Sequence, residues 1–353
     1  MKDYSKEGQV IGLDLGDEWS HYHVLKGGEE VGVKGRMKTR RAEVEQWGRQ
    51  QEGSRVVMEA GTHSPWMSRL LEACGHEVVV ANPRKVQLIT KNMKKRDPVD
   101  ARLLARLGRV DVELLSPVKH RSAEAQQDLA VLRARDMAVR VRSQLILHVR
   151  GAVKAVGGRV GSCTTGSFAT RAAEQMPAEL RPALLPLLEA VGALNQQIRH
   201  YDQTIEELGQ QRYAVTQRLR TVPGVGPVTS LAFVLVVDDP RRFRSSRAVG
   251  SYVGLHSGSR QSGEQDPQLP ITKQGDAFLR RLLVNSAQYV LGPFGPDSDL
   301  RQWGLRLAGR GGKNAKKRAV VAVARKMAVL LHHLWVSGEV YEAFYGSSRQ
   351  AAA

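Results

Sequence analysis

Four acidic residues in the first third of the chain stand where oxygen-ligand chemistry could be done. Asp14 closes the apolar run in GLDLG (12–16), and Glu59 closes another in VVMEAG (56–61). Asp97 and Asp100 sit three apart in KKRDPVDARLLARLG (94–108). That stretch reads as a helix, with Pro98 suited to a first helical position and Gly108 to a stop. On such a helix Asp97, Asp100, Leu104 and Leu107 share one face, and that face should pack inward. Like charges on an inward stripe are costly unless a cation pairs them. Two readings stand. In one, Asp97 is simply the N-cap and Asp100 sits near the positive end of the helix dipole. In the other, the strands ending in Asp14 and Glu59 are neighbours in one sheet, and the helix packs beside them. The four carboxylates then converge on Mg²⁺ or Mn²⁺, hard cations that want oxygen ligands. Two such ions about 4 Å apart stabilise both sides of a phosphoryl transfer. The bases just upstream, Arg84, Lys85, Lys91, Lys94, Lys95 and Arg96, would line a nucleic-acid backbone or form a solvated face.

The elements that must position these acids follow from the pattern. Residues 8–36 read as three short strands separated by turns, with Gly27-Gly28 between the second and third. A helix follows over about 41–50, then a strand in SRVVMEAG (54–61), a helix opened by Ser64-Pro65 and closed by Gly75, and a strand in HEVVVANP (76–83). Three strands, helix, strand, helix, strand, helix is an α/β order with a mixed sheet. From about residue 121 the chain becomes helical. GGRVGSCTTGS (157–167) reads as a loop or linker. After Pro186, Leu187, Val191, Leu194, Ile198, Tyr201, Ile205, Leu208, Val215, Leu219 and Val222 follow in steps of four and three, broken only at Arg212. That spacing predicts a coiled coil. A helix of that span is roughly 50 Å long, and its length calls for a partner helix and hence self-association. PGVGP (223–227) before an apolar helix resembles a helix–hairpin–helix turn, in which Gly224 and Gly226 would turn backbone amides toward a phosphate.

Composition narrows the partner. The 353 residues carry 53 Lys and Arg against 35 Asp and Glu, a net charge of +18, which suits a polyanion such as nucleic acid. Lys273, Arg280, Arg281, Lys316 and Lys317 add cations in the last third. Two cysteines, Cys74 and Cys163, make neither a disulfide framework nor a zinc site and suit a reducing compartment. The N-terminus MKDYSKEGQV lacks an apolar signal core, and the run LAFVLVV (231–237) is too short to span a bilayer. The expected location is the cytoplasm.

As a set, GLDLG, VVMEAG, VVVANP and KKRDPVDARLLA resemble the N-terminal DEDD domain of the insertion-sequence 110 family of transposases, relatives of the pilin-gene invertases. That domain is similar to the Holliday-junction resolvase RuvC. The stretch from VPGVGPVTSLAFVLVV through ITKQGDAFLRRLLV (222–284) resembles the family's C-terminal transposase domain. The resemblance implies a RuvC-like catalytic domain with a trailing long helix over 1–156. A linker and coiled-coil helix would cover 157–221, and a mainly helical, serine-bearing domain 222–346. It implies a DNA recombinase whose acidic site, with divalent metal, works beside a serine that attacks DNA and becomes linked to it. It also implies guidance by a structured RNA that pairs with donor and target DNA.

The family's serine lies in a Ser-Gly pair between GL and an I-[ST]-K-x-G stretch. Ser262-Gly263 ahead of ITKQG (271–275) fits. This chain departs from the pattern in having GLHSGS without the usual nearby proline, and Leu269-Pro270 where glycine is usual. Ser257-Gly258 is a second candidate pair, and Ser259 lies between the two. A serine hydroxyl needs activation, which a metal-bound phosphate and a nearby acid can supply. Two other classes remain open on the residues alone. One is a metal-dependent junction nuclease that uses only the acids. The other is a non-catalytic nucleic-acid-binding protein, for which the charge suffices.

Overall fold

β1 (Val10–Asp14) is apolar on both sides and almost wholly buried, as a central strand requires. β2 (Trp19–Leu25) and β3 (Val33–Lys38) alternate polar and apolar residues and lie outside it. They are followed by α1 (Arg41–Gln50), β4 (Arg55–Glu59), α2 (Ser64–Ala73) and β5 (Glu77–Ala81). α3 (Pro83–Thr90) and α4 (Asp97–Val110) close the series. This computed structural model describes residues 8–27, 32–90, 97–258, 260 and 269–345, with the side chains of 87–90 and 97–99 left aside. The chain divides into two units, Met1–Ala123 and Glu124–Ala353.

In the first unit the sheet order is β3-β2-β1-β4-β5. β1 pairs antiparallel with β2 and parallel with β4, so the sheet is mixed, and strands one and four are neighbours as expected. Ile11, Leu13, Val56, Met58 and Val80 fill one face and pack with Val44 and Trp47 of α1 and Met67 and Leu71 of α2. Val10, Val57, Val79 and Ala81 fill the other and pack with Leu104 of α4.

α4 lies almost against the backbone of β1. A Cβ on Gly12 would sit 2.0 Å from the Ala101 carbonyl oxygen and 2.6 Å from the Ala105 amide nitrogen. Gly108 serves the same contact, since a Cβ there would meet Val57 Cγ2 at 2.3 Å. Gly108 suits a helix stop in the sequence, but α4 continues through it to Val110. The glycine answers a packing need, not a left-handed cap.

In the second unit α5 (Ala123–Ala155) runs out, α6 (Phe168–Gln175) turns the chain, and α7 (Arg181–Gln211) returns. α7 starts five residues before the proline expected to precede it. Pro186 sits exposed in its second turn, where burial of Leu184, Leu188 and Val191 close by outweighs one missing amide bond. α7 ends at Gln211, so Val215, Leu219 and Val222 of the expected heptad fall beyond it, and the helix that α7 meets through its side chains is α5 of the same chain. Arg135 Nε bonds Asp202 at 2.5 Å, Arg142 bonds Asn195 Oδ1 at 2.8 Å, and Asp128 accepts from Arg212 at 2.9 Å and Tyr213 at 2.8 Å. Numbers rise on one helix as they fall on the other, so the pair is antiparallel. At its far end Val149 and Val153 pack with Leu184, Leu188, Phe168 and Val160. Arg150 ties down the Gly/Ser-rich stretch by donating to the carbonyls of Val160 and Gly161, so that stretch closes the hairpin and is not a slack linker.

The remaining helices are α8 (Val215–Leu219), α9 (Pro227–Val237), α10 (Ser246–Tyr252), α11 (Ala277–Leu291), α12 (Asp299–Ala308) and α13 (Ala315–Ser337). α9 is buried along its length, and Phe233, Leu283, Met327 and Leu331 share its core. By length and apolarity α13 alone among the described residues could cross a membrane. Its buried Val323, Ala324, Met327 and Leu331 are spent on this core.

Candidate functional site

The carboxylates of the first unit come from three elements meeting at one end of the sheet. Leu13 pairs with Met58, so Asp14 and Glu59 lie one residue beyond the last rung of adjacent parallel strands. Side chains alternate along a strand. Asp14 therefore shares its face with Gly12 and Val10, and Glu59 shares its face with Val57. That is the face α4 covers. Ala101 lies over Gly12, while Gly108 lies near Val10 and Val57, so α4 runs antiparallel to β1. Its first turn, with Asp97 and Asp100, thus lies toward the carboxyl ends of β1 and β4. Asp14, Glu59 and Asp100 are half-buried, and the side chain of Asp97 lies outside the described residues. The donors are carboxylate oxygens only, which fits Mg²⁺ or Mn²⁺ and not zinc or copper. Among the described residues, no three His, Cys, Asp or Glu side chains stand close enough to hold an ion together.

Histidines that spacing did not single out surround this end. His63 Nδ1 accepts from the Trp66 indole at 3.1 Å, so the neutral ring carries its proton on Nε2, which faces Asp17 Oδ1 at 3.2 Å. Ser64 accepts from the Gly61 amide and donates to the Gly61 carbonyl, both at 2.9 Å. The Nε2–H of His120 completes it at 2.8 Å. Burial, then Arg69 and Arg121, hold His120 below the ordinary histidine range. The sequence marked Ser64 only as a helix opener, and nothing in its spacing pointed to His120.

Of the basic run, Arg84 and Lys85 are exposed in the first turn of α3, opened by Asn82 Oδ1 accepting from the Arg84 amide at 3.1 Å. Lys91, Lys94, Lys95 and Arg96 lie outside the described residues.

In the second unit, residues 254–258 and 269–275 form the base of a hairpin. The Gly258 amide donates to the Pro270 carbonyl at 3.0 Å and the Thr272 amide to the His256 carbonyl at 2.8 Å, with Ser257 bridged to Ile271. Ser257 is thus part of the paired stem. Ser259 and Ser262 belong to the segment between and lie outside the described residues. Lys273, at φ 54°, is exposed beside the stem. Arg280 spends its guanidinium on the carbonyls of Val253 and Gln274, both at 3.1 Å, and so holds the stem to α11. Arg281 pairs with Asp136 at 2.7 Å. Lys316 and Lys317 are exposed at the start of α13.

The PGVGP turn joins α8 to α9. Gly224 has φ +80°, which a side chain would strain, and a Cβ there would also meet the Ser286 carbonyl at 2.8 Å. Gly226 precedes the first residue of α9. A cleft of about 490 Å³ opens at this turn, lined by Arg220, Gly224, Gly226, Thr229, Ser286 and Tyr289 among others. Backbone amides at a helix start beside an arginine suit a phosphate.

A mixed five-strand sheet with acids at adjoining strand ends, overlaid by a helix that opens with two more, is the layout of a DEDD-type nuclease-like domain. Residues 11–157 match the model of the DEDD transposase domain of insertion-sequence 110 elements, and residues 216–299 match that of the IS116/IS110/IS902 transposase family. A probable family 20 transposase of Pseudomonas aeruginosa is 31% identical over 332 residues, 91% of this chain and 95% of that protein. The transposase for insertion sequence element IS1111A of Coxiella burnetii is 30% identical over 81% of this chain and 79% of its own. A pilin gene-inverting protein of Moraxella lacunata is 28% identical over 38% of this chain and 44% of its own. The chain belongs to the IS116/IS110/IS902 family of transposases and is the transposase of an insertion sequence.

Proposed function

We propose that this transposase is an RNA-guided recombinase that cuts and rejoins donor and target DNA through a serine–DNA intermediate. Asp14, Glu59, Asp97 and Asp100 hold Mg²⁺ or Mn²⁺, and Ser262 is the nucleophile. The observation that carries the acidic part is the near-contact of α4 with β1. It lays the helix's first turn toward two strand ends that already carry Asp14 and Glu59 on the same face. When bound, the ion draws charge from the phosphate oxygens and polarises the phosphorus. The Ser262 oxygen attacks that phosphorus, its proton passes to a nearby base, and the departing sugar oxygen is protonated. One phosphate ester forms as another breaks, so the bond energy is retained. A hydroxyl of the incoming strand then reverses the step and frees the serine. Exchange between two DNA strands calls for more than one serine, which favours a homo-oligomer of two or four copies. Arg84, Lys85, Lys91, Lys94, Lys95 and Arg96, just ahead of Asp97 in the sequence, and Gly224, Gly226, Lys273, Lys316 and Lys317 in the second unit, are the backbone contacts of this reading. Arg280 and Arg281 do structural work within the fold and contribute charge at most.

The test is a denaturing gel of the full chain with labelled DNA, its guide RNA and Mg²⁺, followed by mapping of the linked peptide. Ser262→Ala abolishes the adduct, whereas Ser257→Ala and Ser259→Ala keep it. An adduct that survives Ser262→Ala refutes the assignment. Strand cleavage with no adduct in any variant points instead to a junction nuclease working with the acids alone.

A further inference from the structure

The sheet face that carries Asp14 does not end at β1. Asp14 stands opposite His21 on β2, and His21 stands opposite Arg36 on β3. Directly opposed residues point to the same side, so the three form one row across the sheet. The next row outward pairs Trp19 with Lys38, and the next inward pairs His23 with Lys34. β3 thus presents Lys34, Arg36 and Lys38 on the face of the acids, while Gly35 and the buried Met37 point to the other. Lys34 and Arg36 are exposed, and exposed Arg40 and Arg41 continue the series past the strand end.

Basic residues on an edge strand have a bland purpose, since they keep edges from pairing with other chains. Two details go further. The Arg36 guanidinium lies over the Trp19 ring at 4.5 Å and the Lys38 ammonium at 5.7 Å, so the indole orients both cations. A charge that only repels other edges needs no such seat. Lys34 also reaches the same face by its field: burial first, then Arg102 and Lys34, push His23 below the ordinary histidine range. Arg36 lies about 10 Å from Asp14, two inter-strand spacings. That is some three nucleotides at about 3.4 Å of axial rise per nucleotide.

We propose that Lys34, Arg36 and Lys38, seated on Trp19, are a phosphate track that feeds a DNA strand along the β2–β3 face to the acidic centre at Asp14. The occupant is DNA because the track is continuous with that centre, where DNA is cut. This rests on the acidic site of the proposed function, but neither metal nor serine enters its measurement. The acids nearest its outer end, Asp17 and Glu18, lie in the β1–β2 turn, and Asp17 is turned to His63.

The experiment is fluorescence anisotropy of the full chain with labelled duplex DNA, without divalent metal, titrated with salt. The triple variant Lys34→Gln, Arg36→Gln, Lys38→Gln loses three phosphate contacts, so the slope of log K against log salt shrinks by about 2.7. Between 50 and 200 mM salt that is a roughly 40-fold smaller fall in affinity for the variant than for the wild type. Trp19→Ala weakens binding, and Trp19→Phe recovers part of it. Labelled guide RNA shows no change in slope. An unchanged DNA slope overturns the proposal, and so does an equal loss on RNA, which makes this an RNA surface. Because these side chains lie at the surface, unaltered thermal melting separates lost contacts from lost fold. A changed slope in a protein that forms no serine adduct would keep the track and sink the nucleophile, and the reverse outcome would do the opposite.

Discussion

Replacing Gly12 with alanine is the sharpest test of how this chain builds its acidic end. The added Cβ would lie 2.0 Å from the Ala101 carbonyl oxygen and 2.6 Å from the Ala105 amide nitrogen. Both are backbone atoms of a helix and cannot rotate away. Relief requires α4 to move off the sheet by about 1 Å. A gap of that size forfeits a quarter to a half of the dispersion energy of each facing contact, here those of Ala101, Leu104 and Ala105, all buried. Overpacking of this kind costs about 1–3 kcal/mol, and an unyielding neighbour places Gly12→Ala near the top of that range. Alanine recovers about 0.5–1 kcal/mol over glycine within a strand. The net loss is about 2 kcal/mol, and at about 4 °C per kcal/mol the first unit melts roughly 8 °C lower. The same shift draws the turn bearing Asp100 away from Asp14, so metal-dependent cleavage falls further than the melt alone explains. The control is Gly61→Ala, where a Cβ meets nothing within 4 Å. Differential scanning calorimetry and a cleavage assay on both variants decide it. If Gly12→Ala melts and cuts like the wild type, α4 does not seat the acids.

Acid weakens the first unit. His23 and His120 are held below the ordinary histidine value of about 6.5 mainly by burial, so the unfolded chain binds more protons than the folded one below that pH. Their contribution is complete above about pH 6.5 and is lost as pH falls through the lowered folded values, so urea midpoints decline from pH 7 to 5 and decline less in His120→Asn; a flat profile refutes this. Ile198→Asp or Ile205→Asp places a carboxylate at a buried position of α7 and costs at least about 3 kcal/mol in the second unit. The melt falls with it, whereas light scattering that shows only a dimer becoming a stable monomer would mean the stripe faces a second copy.

The apolar run of β1, the rough alternation of β2 and β3, the glycine turns and the two α/β repeats made the first unit's order legible, because each element there buries residues set by its own local pattern. The partner of a stripe is another matter. Leu187, Val191, Ile198 and Ile205 advertise an apolar seam, but nothing in their spacing says whether the seam is filled by another chain or by Val149 and Leu132 of α5. The clues were polar and remote: Arg135 with Asp202, Arg142 with Asn195 and Asp128 with Arg212 become meaningful only once the antiparallel register is known. The basic residues diverged for a similar reason. Arg280 and Arg281 read as nucleic-acid contacts because charge is visible in a sequence, and their partners, a pair of carbonyls and Asp136, are not. The cations of β3 show the converse. Lys34, Arg36 and Lys38 look like ordinary edge residues until the register sets Arg36 in line with His21 and Asp14.

That register bears on why so close a contact as Gly12 against Ala101 belongs at this site. An ion held by carboxylates tolerates little error in their positions, and a phosphate delivered beside it must arrive at one height on the sheet. Side chains of ordinary size between α4 and β1 would leave the helix free to ride over a range of rotamers. Backbone against backbone removes that freedom, so the heights of Asp100, Asp14 and the Arg36 row are set by the peptide chain itself. Relaxing the contact should therefore disturb the two functions unequally. Gly12→Ala lowers cleavage while leaving the salt slope of DNA binding intact, because the track lies on β2 and β3. Loss of both together would show instead that α4 holds the whole face in place.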